Sequence, residues 1–221
     1  MVDQLNVDKL IQQTRQYEFA DGLRDLQLGL YFAISGLTFW LIFDPGWMSF
    51  VFSLIKTNRV WGILVNFIPI ILPLAVVLGM LPIMNYLRRR WLWRDSGMIK
   101  TRWVVPKGVN ILSAVILVGV IILGGLLRHF GKVDDMFLLR VLWTATGWSF
   151  GYTCIGVGRH IGLKRYIWMG AIGGLASTIV LFLPFGFGET TMVFWLTWGL
   201  ILSISGGIIL RRAFRSVQEN S

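Results

Sequence analysis

Charged residues are scarce in this sequence. They make up 14% of its 221 residues, whereas an ordinary soluble domain carries about 25%. Hydrophobic residues account for 55% of the chain, and the mean hydropathy is +0.67. This balance excludes an ordinary soluble domain and indicates a polytopic membrane protein.

The residue types that most often bind metals or perform catalysis are also few. A single cysteine, Cys154, excludes an intrachain disulfide. The two histidines, His129 and His160, fall at opposite ends of predicted membrane spans, so they cannot share one metal site or one catalytic pair. We therefore expect no enzymatic activity and no bound metal or cofactor.

One string matches a catalytic motif. Gly147-Trp148-Ser149-Phe150-Gly151 fits the GxSxG pattern of serine hydrolases, which needs a sharp strand-to-helix turn to expose the hydroxyl. The string lies instead in an apolar run that predicts a membrane helix. His160 is about 16 Å from Ser149 along such a helix, which is too far for a general base.

Acidic residues are absent from the predicted spans. All 11 aspartates and glutamates lie outside the six apolar runs described next. Proton or cation coupling usually employs a carboxylate within the membrane, so we do not expect a carboxylate-driven pump or antiporter.

Six apolar runs are candidates for spanning helices, each of which needs roughly 20 residues. They cover about 26–43, 61–87, 109–127, 137–157, 163–185 and 191–210. Residues 47–58 have one apolar and one polar face, which predicts a short helix lying in the outer interface. The fold prediction is an all-α bundle of six spans in residues 22–210, with an amphipathic leader helix in 1–21 and a tail in 211–221.

The basic residues predict the orientation of the bundle in the membrane. The net charge is +10, and most of the 21 lysines and arginines fall in segments that six spans would place on one side. Because such clusters mark the side that is not translocated, we predict a multi-pass protein of the cell membrane with both termini cytoplasmic. These short clusters do not form one solvated basic face, so no nucleic-acid partner is expected.

The largest basic cluster lies in residues 82–107. Anionic lipid headgroups attract such clusters, and we assign lipid or partner contact to five of its arginines. These are Arg88, Arg89, Arg90, Arg94 and Arg102. The leading hypothesis is a non-catalytic accessory or scaffold subunit that uses this loop and the leader to bind membrane lipids, a protein partner or a second copy.

A small-solute transporter or channel is the alternative. Pro69 and Pro73 each remove a backbone hydrogen bond from the second span, and Asn66 lies nearly on the same face. The freed polar groups need a partner helix, a water or a solute. With Ser149 and Tyr152 of the fourth span, these three residues form a candidate solute pathway.

Apart from Lys164 and Arg165 at the start of the fifth run, Arg140 is the one charged residue inside an apolar run. It lies about a turn from the outer end of the fourth span, where a long side chain can reach the interface. We predict an ion pair at the outer rim between Arg140 and Asp44 or Glu189.

Small residues predict which spans pack closely, because they allow two backbones to approach. The fourth span has Gly147 and Gly151, and the fifth has Gly170 and Gly174. The sixth span carries Gly199, Ser203 and Gly207 at four-residue spacing. We expect these three spans to form a tight cluster.

Overall fold

The computed structural model describes residues 21–92, 107–131 and 134–219, and every regular element in these ranges is helical. The seven α-helices are α1 Leu23–Phe43, α2 Pro45–Thr57, α3 Arg59–Leu87, α4 Lys107–His129, α5 Asp135–Ile161, α6 Lys164–Ile179 and α7 Phe187–Glu219. A π-helical turn, Arg88–Leu92, extends α3, and a 3-10 turn, Val180–Phe182, extends α6. The predicted leader helix lies outside the described residues, except for Asp21.

The prediction of an all-α fold is confirmed in these ranges. Five helices are long and apolar enough to cross a membrane: Leu23–Phe43, Arg59–Arg90, Ile111–His129, Lys164–Phe182 and Phe187–Arg215. Helix α5 covers the fourth apolar run but is not among the five, because its hydroxyl, tryptophan and arginine side chains lower its hydropathy. Helix α7 also continues through most of the predicted tail.

Local caps begin three helices at one end of the bundle. The side chains of Asp44, Asn58 and Asp134 each accept a hydrogen bond from the backbone N–H three residues further on, at 2.9, 3.3 and 2.8 Å. Such caps satisfy N–H groups that have no partner within the helix. Pro45 follows Asp44 in the first turn of α2, where a proline costs no hydrogen bond. We call this end, where α1 finishes, the outer end, and the opposite end the inner end.

The helices contact one another in a series that differs from their order in the chain. Helix α1 packs along α7 and, on its other side, against α3, while α5 packs along α6 and against α4. Helix α7 also contacts α6, which joins the two groups. Helices α3 and α4 therefore lie at the two ends of the series, although they are consecutive in the chain.

Glycines at seven-residue spacing bring α1 and α7 together. Gly22, Gly29 and Gly36 face Gly206, Gly199 and the turn at Met192, respectively, so the two helices are antiparallel. A Cβ atom added at Gly199 would lie 2.9 Å from the Gly29 carbonyl oxygen, and one added at Gly206 would lie 2.7 Å from that of Gly22. A seven-residue repeat keeps one face of a helix toward its partner. We call this contact the glycine seam.

A second close contact joins α5 and α6. A Cβ atom added at Gly151 would lie 2.6 Å from the carbonyl oxygen of Gly170, and Gly147 sits directly against Ser177. The predicted close packing of the fourth and fifth spans is therefore confirmed.

Helix α7 uses its small residues differently from the prediction. Gly199 and Ser203 face α1 instead of α5 or α6, and no atom lies within 4 Å of a Cβ added at Gly207. The three-helix cluster predicted from these residues is wrong in this respect, because α7 presents the glycine seam to α1. A tryptophan, Trp198, makes its contact with α6 by lying over Gly173.

Aromatic side chains fill the centre of the bundle. Trp198 is 1% exposed and stacks edge to face on Phe150 of α5, with ring centroids 4.7 Å apart. Phe150 in turn contacts Phe32 of α1, and Trp143 of α5 stacks on Phe194 of α7. Aromatic pairs in these geometries attract each other beyond simple burial, so this cluster ties α1, α5 and α7 together.

Candidate functional site

A buried ion pair joins the start of α1 to the end of α3. The Asp21 carboxylate contacts Arg88 through two hydrogen bonds, Nε to Oδ2 at 2.6 Å and Nη2 to Oδ1 at 3.2 Å. Their side chains are only 2% and 10% exposed. Asp21 also accepts the backbone N–H of Leu23 at 3.1 Å. Two-pronged contact of this kind fixes the relative orientation of both groups as well as their distance.

A second buried carboxylate joins α1 to the start of α6. Asp25 is 1% exposed, and its Oδ2 lies 3.2 Å from Nη2 of Arg165. Its Oδ1 accepts a hydrogen bond from the hydroxyl of Tyr166. The Arg165 guanidinium also lies 5.2 Å from the centroid of the Tyr166 ring, within range of a cation–π attraction.

Asp25 corrects the prediction that every acid lies outside the spans. Helix α1 begins at Leu23, three residues before the predicted start, and holds Asp25 in its first turn. The apolar run alone suggested a later start. Two residues distant in sequence make this earlier start possible, because Arg165 pairs with the buried carboxylate and Tyr166 donates a hydrogen bond to it.

Local sequence explains why the two carboxylates meet these partners. Asp21 lies just before α1 and Asp25 lies in its first turn, so both carboxylates sit at the same end of that helix. Between them, Gly22 has φ 70°, in the left-handed region, and a Cβ there would collide with the carbonyl of Gly206. Gly162, with φ 77°, turns the chain between α5 and α6 and so delivers Arg165 to the same end.

The two ion pairs lie at the same end of α1, and we call their side chains together the inner charge network: Asp21, Asp25, Arg88, Arg165 and the hydroxyl of Tyr166. Two carboxylates balance two guanidinium groups within it. Taking such charges out of water costs about as much as their attraction returns. The main effect of the inner charge network is therefore to position helices, because it holds the inner ends of α1, α3 and α6 in one arrangement.

The inner charge network changes the role expected for one arginine of the basic cluster in residues 82–107. Arg88, predicted to contact lipid or a partner, is 8% exposed and bonded to Asp21, so it acts inside the protein. Arg89 and Arg90 are exposed, and the Arg90 guanidinium lies 5.7 Å from the ring centroid of Tyr86. Arg94 and Arg102 lie outside the described residues.

The α3 members of the candidate solute pathway point in different directions. Pro69 and Pro73 are buried, whereas Asn66 is exposed. Near these prolines, the buried amide of Gln27 in α1 donates a hydrogen bond to the Val77 carbonyl at 3.0 Å. This hydrogen bond joins α1 to α3 one turn beyond Pro73.

The α5 members lie in another part of the series. The Ser149 hydroxyl donates to the Ser113 carbonyl of α4 at 3.2 Å, and the Ser113 hydroxyl is 2.9 Å from that of Thr153. Tyr152 is 37% exposed. The structure does not bring Ser149 and Tyr152 together with Asn66, because α3 packs on α1 while these residues adjoin α4 or the surface.

The predicted outer-rim ion pair is also not brought together in the described chain. Arg140 is half-buried, and its Nη2 donates to the Phe185 carbonyl at 3.2 Å. Asp44 caps α2, and Glu189 accepts the backbone N–H of Gly186 at 2.9 Å. Each of the three charges therefore serves a local backbone group.

Comparison with protein families, with characterised proteins and with solved structures finds no match for this chain. Within residues 21–92, 107–131 and 134–219, no group of three histidine, cysteine or acidic side chains is placed to hold a metal ion. The inner charge network is the most distinctive arrangement of polar side chains in these ranges.

Proposed function

We propose that the protein is a non-catalytic, six-span subunit of the cell membrane whose cytoplasmic face is a scaffold for a protein partner or for membrane lipid. The leader, residues 1–21, and the basic loop, residues 82–107, would supply that face. The observation that carries this proposal is the ion pair between Asp21 and Arg88. Asp21 is the last residue of the leader and Arg88 belongs to the basic loop, so one buried contact links these two segments to the bundle.

The packing of α5 supports a sixth span. Gly158 approaches Tyr166 and Gly147 approaches Ser177, so α5 runs antiparallel along α6, which is itself a candidate span. Its 27 residues correspond to about 40 Å of helix, compared with about 30 Å of hydrocarbon in a bilayer. Since α5 lies along this candidate span from Gly147 to Gly158 and is long enough to cross a bilayer, we expect it to cross as well.

Hydrogen bonds explain how a less apolar helix tolerates that position. The hydroxyls of Thr146 and Thr153 donate to carbonyls one turn back within α5, at 2.8 and 3.0 Å. The Thr144 hydroxyl donates to the Ser177 carbonyl of α6 at 3.2 Å. Polar groups that are satisfied in this way do not face hydrocarbon unpaired.

Reporter fusions would test the topology. A reporter whose activity depends on the side of the membrane is fused after Ser96, Gly131 or Gly162 in the full chain. The proposal expects cytoplasmic signals at Ser96 and Gly162 and an external signal at Gly131. Equal signals at Gly131 and Gly162 would mean that α5 does not cross.

Charge reversal would test the scaffold role. The full chain is purified in mild detergent, and the mass of the particle is compared with the 25.1 kDa of one chain. We expect bound protein or anionic lipid that is lost when Arg89 and Arg90 are both changed to glutamate. The matched control reverses Arg211 and Arg212, two exposed arginines at the inner end of α7, and should keep the bound component.

A wild-type particle that contains one chain and neither protein nor lipid would overturn the scaffold proposal. Equal loss in both charge-reversed variants would indicate a diffuse attraction to the basic inner surface instead of a defined face.

A further inference from the structure

An apolar groove lies between α4 and α5 near the outer end. It encloses about 470 Å³. Its walls are mainly aliphatic, with Val120, Ile121, Leu139 and Leu142 among them, and Phe187 of α7 closes one side. This space is distinct from the inner charge network and from the candidate solute pathway.

The groove exists because α4 and α5 touch more closely elsewhere. Towards the inner end, Val109 fits against Gly156, and the Ser113 and Thr153 hydroxyls are 2.9 Å apart. Within the groove, Gly125 adds no side chain, and nothing lies within 4 Å of a Cβ built there. Open volume therefore remains where a larger residue would fill it.

One end of the groove carries both signs of charge. Arg128 and Asp135 line it there, with Nε to Oδ1 at 2.9 Å and Nη2 to Oδ2 at 3.2 Å. Both side chains are well exposed, at 62% and 70%. A guanidinium has five N–H donors and a carboxylate about four acceptor sites, so each keeps capacity for a further ligand.

We propose that this groove binds a glycerophospholipid with a zwitterionic headgroup. One acyl chain occupies the aliphatic part, the phosphate lies beside Arg128, and the ammonium lies beside Asp135. The polarity profile fits an amphiphile, with charge at one end and hydrocarbon along the rest. This lipid would belong to the membrane leaflet on the side where α4 connects to α5.

The length of the groove favours a lipid over a partner helix. From Val120 to Arg128 it follows about 12 Å of α4, whereas a neighbouring spanning helix would follow about 30 Å. A short groove with charges at its mouth matches a single chain attached to a headgroup.

Photolabelling of the full chain in detergent would test the site. The probes are phosphatidylethanolamine and phosphatidylglycerol with the same photoactivatable acyl chain, and labelled peptides are mapped by mass spectrometry. We expect the zwitterionic probe to label residues 120–142 several-fold more than the anionic probe. Gly125→Leu should reduce that labelling about tenfold by filling the groove with apolar atoms.

Gly119→Leu is the matched control, because a Cβ at Gly119 of the same helix also meets no atom within 4 Å and this glycine does not line the groove. It should label like the wild type. Asp135→Asn should shift preference toward the anionic probe, which tests the headgroup assignment even if Gly125→Leu fails to fold. Three results would each overturn the proposal. The two glycine variants could label equally, the two probes could label equally, or two copies of the chain could cross-link at this groove.

Discussion

The two ends of the bundle each hold an ion pair between an aspartate and an arginine, in opposite surroundings. At the inner end, Asp21 and Arg88 meet at 2.6 Å with side chains 2% and 10% exposed. At the outer end, Arg128 and Asp135 meet at 2.9 Å but are 62% and 70% exposed. The inner pair joins residues 67 positions apart and the outer pair only seven.

The two pairs have similar distances, but their burial gives them different effects on stability. An exposed pair is solvated whether or not it forms, so it contributes little to stability. A buried charge cannot lose its partner without remaining in a medium of low dielectric. The inner pair therefore constrains the fold, whereas the outer pair is free to exchange partners.

The largest effect is expected from Asp21→Ala. This change removes two hydrogen bonds from a buried guanidinium and should lower the free energy of unfolding by about 3 kcal/mol. Titration of folded protein in mixed micelles with a denaturing detergent would measure it. The double variant with Arg88→Ala should cost less than the sum of the two single changes. A loss no larger than that of Asp135→Ala would contradict the distinction between the two ends.

A smaller effect is expected from Gly206→Val beside the same network. A Cβ at Gly206 would lie 2.7 Å from both the Gly22 carbonyl and the Leu26 nitrogen, and overpacking of this kind costs about 1–3 kcal/mol. Thermal unfolding followed by tryptophan fluorescence would detect the lower melting temperature. Gly207→Val is the neighbouring control, since nothing lies within 4 Å of its Cβ. Equal shifts in the two variants would show that the seam is not tightly packed.

Tyr166→Phe tests the other half of the inner network. Deleting the hydroxyl removes the hydrogen bond to Asp25, which should cost about 1–2 kcal/mol because the carboxylate stays buried. The same unfolding titration applies. Tyr152→Phe removes a hydroxyl from an exposed tyrosine and should leave stability unchanged. An unaltered midpoint for Tyr166→Phe would mean that Arg165 alone satisfies Asp25.

The smallest effect is expected at the outer end. Arg128→Ala should change the free energy of unfolding by less than about 1 kcal/mol. That difference should shrink further in 1 M salt, where the screening length falls to about 3 Å. Measuring the variant at low and high salt would check both statements. A large, salt-independent loss would place Arg128 among the groups that constrain the fold.

The positions of the helices were largely predictable from sequence, because apolar runs and helix breaks are local patterns. The end of the first apolar run at residue 43 marked the break before α2, and Gly147 and Gly151 indicated the close contact with α6. The partner of α7 was predicted wrongly, because the prediction rested on the four-residue spacing of Gly199, Ser203 and Gly207. The seven-residue spacing of Gly199 and Gly206 was the pattern that mattered.

The inner charge network was not predictable in the same way. Its bonds join residues 67 and 141 positions apart, and no local pattern specifies such pairs. One signal was present nevertheless. Asp21 and Asp25 are spaced for one helical face immediately before an apolar run, a place where two acids need cationic partners if the helix extends through them.

The glycine seam also fixes how many residues can separate its glycines in α1. Each residue turns an α-helix by about 100°, so removing one between Gly29 and Gly36 would bring Leu37 to the place of Gly36. Even a Cβ there would lie 2.9 Å from the Cβ of Trp195. A deletion between these glycines thus places a side chain where only a glycine fits, and the number of residues between them is as constrained as the glycines themselves.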